Sequence, residues 1–266
     1  MTENSVGSYI RLSEAKVQEQ WGKINARADQ LQLRTSAEGA FPVAAGSALY
    51  GDDRRSDPFQ VSHAAQLNLV AAVDHLHAIC TLVYRAKVLH AASLATLARG
   101  SLETSAAAIW MLGPVTRDER IGRALRWQVK NIKDGDLAAM EAGIQVPTTR
   151  IDRLNKIKTV VARTNQDPKA IERGYTSTDA VRFADDQSNS SFGVLLPWRI
   201  CSGFAHGRPW AYLGFSELEK RTGRTPEIVN VQITTDLSRA LYLAWSATAT
   251  LNEAVALFDQ RSKNHL

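Results

Sequence analysis

Cysteine is nearly absent. The chain has two, Cys80 and Cys201, far apart and each in an apolar run. Two thiols cannot make a disulfide framework, and no C-x-x-C or paired Cys/His spacing offers a structural zinc site, so both read as reduced and buried. Gly (16) and Pro (8) are too few for a collagen-like or low-complexity chain. The opening residues, MTENSVGSYIRLSEA, lack the basic start and apolar block of a signal peptide. The longest uncharged apolar stretch, residues 240–251, falls short of the roughly 18–20 residues of a membrane span. A cytoplasmic, soluble protein with no membrane partner is therefore expected. Also missing are a G-x-G-x-x-G after a strand, a Walker A loop, a G-x-S-x-G elbow and H-E-x-x-H. Their absence removes the commonest nucleotide, hydrolase and zinc-protease readings. Asp52-Asp53-x-x-x-Asp57 and Asp185-Asp186 have no matching Asn/Ser/Glu metal triad, and Asp74 and His77 share a helix face without a third ligand. No metal and no cofactor is expected.

What the chain does have is apolar periodicity. Its 266 residues are 44% hydrophobic and 22% charged, enough for a sizeable core. Residues 9–34 read as an amphipathic helix through Ile10, Val17, Trp21, Ile24, Ala28 and Leu31, followed by an irregular segment to residue 61. A long Ala- and Leu-rich stretch runs from Ser62 to Tyr84, and Ser93 can cap a helix that Gly113-Pro114 stops after Leu112. Thr116 opens a helix to about Ala142, with Asp118 and Glu119 in its first turn, and Thr149 with Asp152 opens another to Val161. Residues 164–193 are polar and turn-rich, read as a loop with one short helix near 177–184. Leu195 to Ala205 reads as a buried helix. IVNVQIT (228–234) is the one good β signal, with Trp210 to Phe215 as its expected partner. Thr235-Asp236 opens a final helix to about Gln260. The expectation is a single all-α domain over 1–266, a multi-helix bundle with at most a small β-hairpin near 210–234.

The formal net charge of +5 has a location. Residues 117–173 hold 13 Lys/Arg and 8 Asp/Glu, and the rest of the chain holds 19 of each sign. At about 100° per residue, Ile121, Leu125, Val129 and Ile132 share one arc, and Arg120, Arg123, Arg126, Lys130 and Lys133 fill an adjoining one that includes Trp127. Such a face could track a phosphate backbone and stack a base. The alternative is a solvated face whose Trp tucks against a neighbouring helix.

The most informative string is Trp198-Arg199-Ile200-Cys201-Ser202-Gly203-Phe204-Ala205-His206-Gly207-Arg208-Pro209. On a helix, seven residues is two turns, about 10 Å, with an angular offset of about 20°. Arg199 and His206 therefore share a face, and Ser202 lies between them. Gly207 suits the left-handed residue that ends a helix, and Pro209 disfavours helix at Arg208. Arg199 could steady a phosphate and His206 could transfer a proton, which metal-free phosphodiester cleavage requires. The alternatives are that Arg199 pairs with a surface carboxylate, His206 satisfies helix-terminal carbonyls and Ser202 bonds back to the preceding turn.

Arg, six residues and His near the end of a helix resembles the HEPN superfamily (higher eukaryote and prokaryote nucleotide-binding). The family's motif is Arg, four to six residues, then His. The resemblance implies an α-helical bundle, metal-independent ribonuclease activity at a site formed by a homodimer, and a role in toxin–antitoxin or phage-defence systems. Other members bind nucleotides or are inactive scaffolds. Arg199 and His206 match the motif's ends. Ile200 stands where active members usually carry a polar residue. Leu97-Ala98-Arg99, Glu103, Trp110-Met111-Leu112-Gly113-Pro114, Arg120, Arg123 and Ser202-x-x-x-His206-Gly207 are together similar to a set of helical proteins from actinobacteria, which implies fold and site location without chemistry.

Arg99 and Glu103, i and i+4 on an otherwise apolar helix, read as an ion pair at least partly buried. Glu103 could instead orient His206. Two functions stay open: a HEPN-like protein that binds or cleaves RNA, with the 117–133 face guiding the backbone and Arg208 in support, and a non-enzymatic scaffold whose basic face binds an acidic protein.

Overall fold

Several helices begin where a side chain supplies an acceptor for the free N–H groups of the first turn. In the computed structural model, which describes residues 12–188, 190, 192–221 and 230–264, α1 (Glu14–Ser36) starts at Ser13, whose hydroxyl accepts from Lys16 N. Positions 9–11, Ile10 among them, lie outside the described residues. Next comes α2 (Ala48–Ser56), capped by Ser47, inside the segment expected to be irregular. It was hidden because its buried side chains are Leu49, Asp52 and Ser56, two of them polar, so no apolar period exists to read. Then follow α3 (Val61–Cys80), which ends in a π-helical turn Thr81–Arg85, and α4 (Ala91–Leu112), which begins two residues before Ser93.

Thr116 caps α5 (Arg117–Glu141), and Thr149 caps α6 (Arg150–Val161) while donating to Asp152 at 2.7 Å. Residues 164–193, expected as a loop with one short helix near 177–184, hold that helix and a second one before it. Asp167 accepts from Lys169 N and Ala170 N to start α7 (Pro168–Arg173), and α8 spans Ser177–Gln187. Asp-Pro is an N-cap followed by the residue best suited to the first helical position, a start signal inside what reads as a turn-rich string. α9 (Leu195–Ala205) falls where the apolar run predicts it.

The hairpin is present with a different first strand. Pro209 opens a short helix, α10 (Pro209–Phe215), and the pairing partner is β1 (Glu217–Arg221), antiparallel to β2 (Asn230–Thr234) from Glu217↔Thr234 to Arg221↔Asn230. Ile228 and Val229 lie outside the described residues. Asp236 accepts from Ser238 N and Arg239 N at 2.8 Å each and launches α11 (Leu237–Ser262). The protein is all-α: 73% helical, with 11 helices and one two-stranded sheet among the described residues.

The described residues pack as two compact units, and α3, α4 and α11 contribute to both. The first takes the chain up to Ala37, Ala71–Leu102 and Ser188–Leu251; its core includes the α1 face Val17, Trp21, Ile24, Ala28 and Leu31. The second takes Glu38–Val70, Glu103–Gln187 and the chain from Asn252; there Ile121, Leu125, Val129 and Ile132 of α5 are buried on one arc, as their spacing predicts. Among the described residues one helix, Val61–Arg85, is long and apolar enough to cross a membrane by length and composition, and 44% of its most apolar window is buried in the protein.

Candidate nucleic-acid interface

In the first unit, α9 divides cleanly. Pro197, Trp198, Ile200, Cys201, Gly203 and Phe204 are buried, which leaves Arg199 and His206 on the solvent side, where the seven-residue spacing places them. The helix ends as the sequence predicts. Gly207 adopts φ +62°, its N–H donates to the Phe204 carbonyl at 3.1 Å, and Arg208 N–H donates to the Gly203 carbonyl at 2.8 Å. This paired arrangement satisfies two free carbonyls and fixes His206 as the last residue of the turn.

Gly203 lets α10 lie close against α9. A Cβ at that position would stand 2.5 Å from Ala211 Cβ and 2.8 Å from Trp210 Cζ2, so no larger residue fits without displacing α10. Phe204 packs on Tyr212 with centroids 4.7 Å apart, and the Tyr212 hydroxyl donates to the Phe204 carbonyl at 3.3 Å. Arg208, the residue before α10, is exposed, and so are Trp210 (55%) and Leu213 (54%). An open cleft of about 580 Å³ separates this turn from Ala92–Leu97 of α4. The turn thus presents His206, Arg208 and an exposed indole, with Arg199 exposed two helical turns before His206 on α9. Trp210 was missed because the sequence reads it as strand; the signal was Pro209, which starts a helix and turns the next residue outward.

Ser202 Oγ is buried and makes no hydrogen bond, contrary to the expected back-bond to the preceding turn. A buried hydroxyl without a partner costs about 1–3 kcal/mol. Ser202→Ala is expected to raise stability by about 1 kcal/mol in urea denaturation; a loss of that size would show a bond to this hydroxyl. Cys201 is fully buried, and desolvation pushes its thiol upward against the pull of the Arg99 charge, so it is not a nucleophile.

Glu103 belongs to the second unit, where it accepts from the Ser177 hydroxyl at the start of α8. Ser177 also bonds Tyr175, whose phenol burial pushes upward and whose ring packs on Trp110 at 5.4 Å.

The cations of α5 do not form one open face. Arg120 is 3% exposed; its Nε and Nη2 donate to the two oxygens of fully buried Asp52 at 2.5 and 2.8 Å, and its Nη1 donates to the Pro114 and Val115 carbonyls. Arg123 donates to the Trp110 carbonyl and to Glu119 at 2.9 Å each, with its guanidinium 4.1 Å from the Phe183 centroid and 5.3 Å from that of Trp110. Arg126 donates to the Gly174 carbonyl and sits over the same indole at 5.0 Å; burial lowers its pKa. Trp127 is half-buried. Lys130 is exposed beside Asp134, and Lys133 donates to the Glu172 carbonyl at 2.8 Å. Long side chains rooted on one arc reach sideways to neighbouring helices, which spacing along one helix does not reveal.

His77 pairs with Asp29 at 3.4 Å in the first unit, with Arg85 on the same carboxylate, and Asp74 is exposed. No group of three or more His, Cys, Asp and Glu able to hold a metal ion occurs among the described residues. No protein-family model, curated protein or solved structure matches this chain.

Proposed function

We propose that this is a HEPN-like RNA-acting protein whose site is the α9–α10 turn, with Arg199 binding phosphate, His206 moving a proton, Arg208 adding charge and Trp210 stacking a base. The observation that carries the reading is that Arg199, two turns before His206 on the same helix face, and His206, Arg208 and Trp210 at the α9–α10 turn are all exposed. The five α5 residues and Trp127 support it less, since Arg120, Arg123 and Arg126 are held by internal partners. In cleavage, the 2′-hydroxyl attacks the adjacent phosphorus as the bond to the 5′-oxygen breaks. One group must take the first proton and another supply the second. A homodimer offers two copies of His206 for these roles, and Arg199 stabilises the charge that develops on the phosphate.

The experiment incubates purified protein with labelled RNA, with and without chelator. Cleavage is expected in both, slowed at least about a hundredfold by His206→Ala. Trp210→Ala is expected to weaken binding about tenfold, within the range for loss of one base stack. Cleavage that His206→Ala leaves unchanged would overturn the assignment. Ile200, which is buried (5% exposed), favours a second reading, RNA binding without turnover, because active members of the family usually carry a polar residue there. Its mark is salt-dependent retention of RNA, lost in Arg199→Ala, with no cleavage. If RNA is neither cut nor held, both readings fail.

A further inference from the structure

The second unit contains a cleft of about 740 Å³ between α5, α6 and α7 that the RNA reading does not use. Its floor is apolar: Val129 from α5, Ile157 and Val161 from α6 and Ile171 from α7 are buried, and Leu154 and Ile151 continue the surface outward, Ile151 being 70% exposed. One end is cationic. Lys133 Nζ donates to the Glu172 carbonyl at 2.8 Å, and Lys158 Nζ lies 3.5 Å from the Glu172 carboxylate. Both ammonium groups are therefore gathered at one residue, which offers a single carboxylate against two positive charges.

We infer that this cleft binds a small amphiphile with an apolar body and one anionic head. Three features lead there. The volume lies in the range of small-molecule sites, about 300–1,000 Å³. The apolar floor gains by losing water to a hydrocarbon body but gives no direction to it. The lysines supply direction, because an anion placed between them completes the charge balance that Glu172 leaves short by one. A cationic head would meet two like charges, and a neutral alcohol would forgo the charge-assisted bonds. Lys133 thus serves the site as part of a head-group clamp rather than as a member of a phosphate-tracking face.

The probe is sodium laurate below its micelle concentration, titrated calorimetrically into the full chain beside dodecanol and dodecyltrimethylammonium. Saturable one-to-one laurate binding is expected, about tenfold tighter than dodecanol, with no measurable binding of the cation. Lys133→Met with Lys158→Met should bring laurate to the affinity of dodecanol. Leu154→Asp, at a half-exposed position, should abolish laurate binding, with helix content by circular dichroism unchanged in both variants. No saturable laurate binding would overturn the inference. So would equal binding of all three amphiphiles, or lysine variants that bind laurate as the parent does. None of these outcomes depends on RNA.

Discussion

Asp52→Ala should destabilise the protein by about 3–5 kcal/mol, a loss on the scale of breaking a buried ion pair from one side. Asp52 is fully buried and Arg120 is 3% exposed, so removal of the carboxylate leaves a guanidinium in a place where water cannot reach it. Arg117 cannot compensate, because it is a second cation on the same carboxylate, 3.3 Å from it. Arg261 makes matters worse. It donates to the Leu112 and Pro114 carbonyls, and both burial and the nearby Arg120 charge lower its pKa, while Asp52 raises it. Urea denaturation measures the loss. The double variant Asp52→Leu with Arg120→Met should recover most of it, since replacing both partners of a buried pair by apolar groups is often neutral. A single variant within about 1 kcal/mol of the parent would show that the pair adds little and that the Pro114 and Val115 carbonyls alone hold Arg120.

That pair is one of several places where the arginines near the end of α4 are used internally. α4 stops at Leu112 because Gly113 and Pro114 cannot continue it, and its last carbonyls need donors. Arg123 takes the Trp110 carbonyl, Arg261 those of Leu112 and Pro114, and Arg120 those of Pro114 and Val115. Two arginines, Arg123 and Arg261, thus serve the end of α4, where the dipole also favours cations, and Arg120 serves the carbonyls just beyond it. The cations of residues 117–173 therefore divide: Arg120, Arg123 and Arg126 are held by partners within the second unit, while arginines and lysines alike, Arg117, Arg150, Lys130 and Lys158 among them, stay exposed.

How much could be read from the sequence follows from the range of each interaction. Thr116, Thr149, Asp236 and Gly207 were legible because each acts on backbone within a few residues of itself. The exposed face shared by Arg199 and His206 was legible for the same reason, since one helix sets it. Asp52 and Arg120 stand 68 positions apart and so looked like an acid cluster and a surface cation. Ser177 with Glu103, 74 apart, is a second case. α2, α7 and α10 went unread because short helices bury too few side chains to show a period, although Ser47, Asp167 and Pro209 each marked a start.

Trp21→Ala is the second large effect, about 3–5 kcal/mol, the usual range for emptying a buried aromatic site. The indole is 1% exposed at the centre of the α1 face, and its Nε1–H donates to the Leu237 carbonyl at 3.1 Å in the first turn of α11. Two contributions can be separated. Trp21→Phe keeps most of the packing and removes the donor, at about 1 kcal/mol for the hydrogen bond plus a smaller cavity. The Leu237 carbonyl lies in the first turn of α11, where it can accept from the helix itself, so losing the indole does not strand it. The alanine variant should therefore lose several times what the phenylalanine variant loses, measured as the shift in urea midpoint at unchanged slope. Equal losses would mean that the indole N–H, and not the buried ring, ties α1 to the start of α11.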